Sequence, residues 1–177
     1  MIACVDVAYR GAAAFAAGVV FRDWHDDRAV EEKVLPPMVV RPYEPGKFFL
    51  RELPCLLAVL RARPPVEAIV IDGYVWLDGA GTPGLGARLH CAFDEKIAVI
   101  GVAKTRFRAA EWACEILRGR SHAPLFVTAA GMLPQTAAEH IRSMHGSHRI
   151  PTLLRRVDQL CREAARRDAT ARRTITT

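Results

Sequence analysis

No apolar run in the sequence approaches the roughly 18 residues that a membrane-spanning helix needs, which excludes a helical integral membrane protein. The opening Met1-Ile2-Ala3-Cys4-Val5-Asp6 has no basic leader and meets an acid at once, so no secretory signal is expected. The five cysteines, Cys4, Cys55, Cys91, Cys114 and Cys161, are odd in number and widely spread, and no two stand at Cys-x-x-Cys spacing. That pattern argues against a zinc or disulfide framework and fits a reducing cytoplasm. No internal repeat is visible. Acidic residues are scarce towards the C-terminus: from Arg142 onward nine arginines face only Asp158, Glu163 and Asp168. With a net charge of +6, such a basic stretch suits a polyanion such as DNA or RNA, since each neutralised phosphate releases counterions. A solvated helix face with a frayed tail accounts for the same charges without any partner.

What is present is a core. The chain has 177 residues, 51% of them hydrophobic, enough for one ordinary domain, taken as residues 1–168, with a basic, frayed tail over 169–177. A monomer is the default expectation. Ile2 to Tyr9, Ala14 to Phe21 and Ala29 to Leu35 read as an antiparallel three-strand meander closed by Pro36-Pro37. Beyond the stiff Arg41-Pro42-Tyr43-Glu44-Pro45-Gly46, the residues Phe49, Leu53, Leu56, Leu57 and Leu60 recur at helical spacing. Two short buried strands follow: Val66 to Asp72-Gly73, and Ile97 to Ala103 leading to Lys104. A turn-rich loop, Tyr74 to Gly86, and a short helix over Ala87 to Phe93 separate them. A helix is expected over Arg106 to Arg118, a strand over Pro124 to Thr128, a helix over Gln135 to Met144, and a last helix opened by Pro151. Strands and helices in this order predict an α/β fold with a mixed sheet, the antiparallel meander first and parallel strands after it.

Three acids fall at telling places. Asp6 lies within the first strand, Glu52 at the edge of the first helix's apolar stripe, and Asp72 where a buried strand ends. If the first strand and the Asp72 strand are neighbours, Asp6 and Asp72 lie side by side, and Glu52 either leans over the sheet or turns to water. Clustered carboxylates repel one another unless a cation lies between them, and hard oxygen ligands suit Mg²⁺ or Mn²⁺. Such ions activate water for attack on phosphorus and stabilise the leaving oxygen, while Lys104 would hold a phosphate or developing charge. Gly79-x-Gly81-x-x-Gly84 has the spacing of a dinucleotide loop, but Pro83 sits inside it and the preceding βαβ unit is missing. His145-x-x-His148 reads as a surface turn rather than a metal pair.

The series Asp6, Pro42-Tyr43-Glu44-Pro45-Gly46, Arg51-Glu52-Leu53-Pro54, Val70-Ile71-Asp72-Gly73, Leu85-Gly86 and Ile100-Gly101-Val102-Ala103-Lys104 resembles the motifs of the endonuclease V family. The likeness continues through Pro124 to Thr128 and Arg149-Ile150-Pro151-Thr152. It implies a ribonuclease-H-like fold and Mg²⁺-dependent hydrolysis of phosphodiester bonds in DNA or RNA near deaminated bases such as inosine. It further implies that Asp6, Glu52 and Asp72 bind metal and that Lys104 is catalytic. Tyr43 and Pro45 would form the wedge beside an extruded base, with Gly46, Arg51 and Gly73 as further nucleic-acid contacts.

The chain also departs from that pattern. Where the family has Asp-Gly-x-Gly followed closely by His-Pro-Arg, this chain has Asp72-Gly73, an insertion containing Asp78-Gly79, and then Thr82-Pro83-Gly84. A second family histidine meets Ala130-Gly131-Met132. Asp78 or His90 could compensate; otherwise Asp78 is a turn acid and His90 a helix-face residue. The alternative function is a nucleic-acid-binding relative with impaired catalysis.

Overall fold

The computed structural model describes residues 1–42, 44–62, 65–107 and 112–175, with side chains through residue 170. In chain order the elements are β1 (Ile2–Arg10), β2 (Ala13–Phe21), β3 (Glu31–Val34), β4 (Met38–Val39), α1 (Phe49–Arg61), β5 (Ala68–Asp72), α2 (Leu85–Ala92), β6 (Ala98–Ala103), β7 (Cys114–Ile116), β8 (Leu125–Ala130), α3 (Pro134–Ser143) and α4 (Thr152–Ile175). The strands form one mixed sheet in the order β3-β2-β1-β5-β6-β8-β7, with β4 paired to the far end of β2. β1 and β2 pair antiparallel over nine residues each, because valines, phenylalanine and small residues suit a pleated surface covered on both sides. β5 and β6 then run parallel to β1. β8 and β7 return to antiparallel pairing beyond β6.

Successive side chains point to opposite faces of a strand. In β1, Ala3, Val5 and Val7 pack with Cys55, Leu56, Val59 and Leu60 of α1, as do Ile69 and Ile71 of β5. Ile2 and Cys4, with Val70 and Val102, pack on the opposite face among Ile141 of α3 and Leu153, Val157 and Cys161 of α4. α1 and α2 thus cover one face, and α3 and α4 the other.

Two expectations are corrected. The helix expected over Arg106 to Arg118 is not formed by its described part, which contains β7; residues 108–111 lie outside the described residues. Cys114-Glu115-Ile116 alternates with Glu115 outward and Ile116 buried, and pairing with the edge of β8 overrides helical propensity. Pro36-Pro37 does not end the first sheet segment either, since the chain resumes pairing as β4. The last helix runs on to Ile175.

Candidate active site

Register places the acids. Val5 of β1 is level with Ile71 of β5, so Asp6 and Asp72 come next on two neighbouring parallel strands. Asp72 is in turn level with Val102 of β6, two residues before Lys104. By strand alternation Asp6, Asp72 and Lys104 all lie on the α4 face, where Cys4, Val70 and Val102 point. The three line one cavity of about 230 Å³ between the strand ends and α4, together with Arg155 and Asp158. Ligand sites in open α/β sheets favour this carboxyl end of the strands.

Lys104 Nζ donates to Asp72 Oδ2 at 2.5 Å, and both side chains are a little under half exposed. Asp6 is less accessible. Its Oδ1 accepts the Val7 N–H at 2.8 Å. Its pKa is nevertheless pushed up to about 6, by burial first, with the negative charges of Asp72 and Asp158 adding to it against that hydrogen bond. Glu52 comes from the other side of the sheet, in the first turn of α1, and is only 7% exposed. Burial, then the charges of Asp6 and Asp72, push its carboxyl up to about 8. Glu52 therefore leans inward and belongs to the same electrostatic group as the two aspartates, although it does not line the cavity. Among the described residues no three His, Cys, Asp or Glu side chains are drawn together as an ion-holding group. The acids are neighbours and not a closed cage. Their chemistry still fits a hard divalent cation: all donors are oxygens, and two of the acids are held back from ionising by burial first and by the negative charge of their neighbours second.

The remaining sequence candidates divide. Arg51 lies over the Tyr9 ring, with Cζ 4.5 Å from its centroid. Pro45 and Gly46 form an exposed turn in which Gly46 takes φ +75°, while Tyr43 lies outside the described residues. Gly73 follows Asp72 at φ +131° and donates its N–H to Val102, which turns the chain away from the sheet. Asp78 does not reach the cavity. Its carboxylate accepts from the Ala80 and Thr82 N–H groups and the Thr82 hydroxyl, and these bonds hold its pKa below the usual range. His90 is buried under α2 with Nδ1 2.7 Å from the Ile97 carbonyl oxygen. His145 Nδ1 lies 3.0 Å from Thr152 Oγ1 in the turn before α4.

Sequence reasoning passed over Asp158 and Arg155, which bring a third acid and a cation to the cavity from α4. The signal was the one used for Glu52, a charged residue bordering an apolar helical stripe, here Leu154 and Val157. It also missed the anchor of Lys104. Arg149 Nη2 donates to the Lys104 carbonyl oxygen at 2.5 Å and to that of Pro124 at 2.7 Å. Arg118, only 6% exposed, donates to carbonyl oxygens of Arg142, Met144, Gly146, His148 and Arg149 and so fixes the turn that delivers Arg149.

Comparison with known proteins identifies the family and the fold. The family model described as Endonuclease V matches residues 1–115. The endonuclease V of Streptomyces coelicolor is 32% identical over 191 aligned residues, covering 95% of this chain and 80% of that protein. The crystal structure of the Streptomyces avermitilis endonuclease V superposes with a TM-score of 0.74 at 28% identity, over 95% of this chain and 82% of that one. The Ciona intestinalis endonuclease V, solved with DNA containing an inosine followed by a ribo-adenosine, shares the fold at TM-score 0.76 and 18% identity, over 94% of this chain and 86% of that one. With its ribonuclease-H-like architecture and a family match over most of its length, this chain belongs to the endonuclease V family.

Proposed function

We propose that the protein is a divalent-metal-dependent endonuclease that hydrolyses phosphodiester bonds in nucleic acid beside a deaminated base such as inosine. The observation that carries this reading is the convergence of Asp6, Asp72 and Lys104 on one cavity where β5 and β6 end beside the middle of β1, with Glu52 electrostatically joined to them. Asp6, Glu52 and Asp72 would hold Mg²⁺ or Mn²⁺, which when bound supplies Lewis acidity to phosphate oxygens and to water. Glu52 holds its proton near neutral pH, whereas Asp6 does so only below about pH 6, so a cation binding to the pair would release protons chiefly from Glu52. Lys104 steadies negative charge on the phosphate, and Arg149 holds its backbone in place. The exposed Pro45-Gly46 turn and Arg51 stand beside Glu52 in sequence, where a displaced strand would pass. A relative solved in complex with DNA containing an inosine supports the choice of substrate class.

A second reading, a nucleic-acid-binding relative without turnover, is favoured by two features: among the described residues no histidine lines the cavity, and Lys104 already pairs with Asp72. Incubation with Mg²⁺ and inosine-containing DNA or RNA separates the two. Cleavage by the wild type that disappears in Asp72→Ala is the expected result. Binding without any cleavage, in either nucleic acid and with either metal, establishes the second reading.

A further inference from the structure

Lys104 stands in a bend just past Ala103, the last residue of β6 paired in the sheet. Its side chain is long and rich in rotamers, so where its ammonium sits depends on how firmly the surrounding backbone is tied down. The ion pair with Asp72 supplies part of that constraint. If Asp72 gives its oxygens to a cation, that part weakens, and the backbone anchors around Lys104 become what places its charge.

One anchor is Arg149, on the Lys104 carbonyl oxygen. A second comes from the chain that leaves Asp72. The Tyr74 hydroxyl donates to the Thr105 carbonyl oxygen at 3.0 Å and accepts the Phe107 N–H at 3.1 Å, so a single oxygen spends both its donor and its acceptor on the stretch that follows Lys104. Arg106, between those two residues, pairs with Glu115 of β7 and lies over the Phe126 ring. The Tyr74 ring meets that of Phe107 with centroids 6.1 Å apart and packs against the cluster of Ala103, Ala113 and Phe126.

Tyr74 is itself firmly seated. On one side of it the Gly73 N–H donates to the Val102 carbonyl oxygen at 3.1 Å, and on the other the Val75 N–H donates to the buried Thr128 hydroxyl at 2.8 Å. Gly101 permits this close approach, since a Cβ there would lie 2.6 Å from the Gly73 carbonyl oxygen and 2.9 Å from the Val75 nitrogen. Both neighbours of Tyr74 are thus fixed to β6 and β8, and its hydroxyl has a defined place from which to hold something else. A tyrosine kept for packing alone needs only its ring against Ala103 and Phe126. Here the hydroxyl also spans irregular chain directly beside Lys104.

We propose that Tyr74 is a positioning residue that acts through Lys104: from the exit of the Asp72 strand its hydroxyl holds the chain just past Lys104 and so sets where the ammonium stands beside Asp72. This deepens the nuclease reading and rests on it, since Lys104 matters there as the group that steadies charge on the phosphate.

The test compares the full chain as wild type, Tyr74→Phe, Lys104→Ala and the double variant, on an inosine-containing strand in Mg²⁺. Tyr74→Phe keeps the ring and removes only the hydroxyl, and melting temperatures check that each variant folds. It should lower kcat by about 5- to 50-fold with KM within about 2-fold of wild type. In the Lys104→Ala background the same change should alter kcat by less than about 2-fold, because a residue that works through the ammonium has nothing left to place. In EDTA, without substrate, the Phe107 amide followed by NMR should exchange its hydrogen about 2- to 10-fold faster in Tyr74→Phe. Where Lys104→Ala cleaves too slowly to follow, the split between kcat and KM and the amide exchange decide. An unchanged kcat in Tyr74→Phe, an equal fall in both backgrounds, or an unchanged Phe107 exchange overturns the positioning role and leaves the nuclease reading standing. No cleavage by the wild type overturns both.

Discussion

The two pairs of charged side chains of the site behave oppositely. Asp72 and Lys104 form an exposed ion pair, each side chain a little under half accessible, where water screens the charges. Asp6 and Glu52 are withdrawn from water without a cation of their own, and each is driven towards its neutral form. A chain optimised for stability alone would place apolar residues at Asp6 and Glu52, since burying unpaired carboxylates is unfavourable. Keeping them there stores a demand for positive charge, and the ion pair beside them does not meet it. The difference separates a surface contact from a site built to bind something.

The largest effect that would break this comparison is catalytic. Asp72→Ala and Asp6→Asn should each lower kcat on an inosine-containing strand by about 100- to 1,000-fold, read by gel cleavage in Mg²⁺. A loss of less than 10-fold in both would move the chemistry elsewhere.

Next in size is pH. Glu52 titrates near 8 in the folded chain against a reference value of 4.5, and Asp6 near 6 against 3.8. The folded state therefore holds more protons than the unfolded one between those limits. Stability in EDTA should be fully present below about pH 4 and should decline by a few kcal/mol as pH rises through 8. Glu52→Gln should remove most of the decline above pH 6, measured by urea unfolding at pH 5, 7 and 9. An unchanged slope in that variant would mean that Glu52 ionises freely.

A smaller shift comes from the cation itself. At pH 8, millimolar Mn²⁺ at about 100 times its Kd should stabilise the wild type by about 2.7 kcal/mol, a rise in Tm of several degrees, and much less in Glu52→Gln. Smallest of all, Lys104→Ala should change stability by no more than about 1 kcal/mol while lowering kcat. A large loss of stability there would show the ion pair to be more than a surface contact.

The placement of Asp6, Asp72 and Lys104 was legible because each lies just inside or beyond an apolar strand run, and period-two alternation then sends all three to one face. Glu52 was readable only as a choice between two orientations, since a helical wheel gives an edge position but not what the edge meets. β7 was read as helix because three residues of alternation carry little signal, and the partner that makes them a strand lies nine positions downstream at Leu125. Asp158 and Arg155 were hidden among the arginines of the basic end. Part of that basic face is also spent internally: Arg156 makes two bonds to Glu32 at 2.7 and 2.8 Å, and Arg162 bonds Asp158 at 2.8 Å. Net charge counts such residues as free, and pairing across the fold removes them from any external partner.

Arg118 fixes how far the chain can be trimmed. Its guanidinium is enclosed and all its acceptors lie between Arg142 and Arg149, so a fragment ending near residue 115 loses the donor together with α3 and α4. The sheet would then show a bare apolar face where Ile141, Leu153 and Val157 now sit. The stretch in which kinship is easiest to recognise is thus not an autonomous folding unit, and minimal versions must keep the turn through Arg149 and the helix after it.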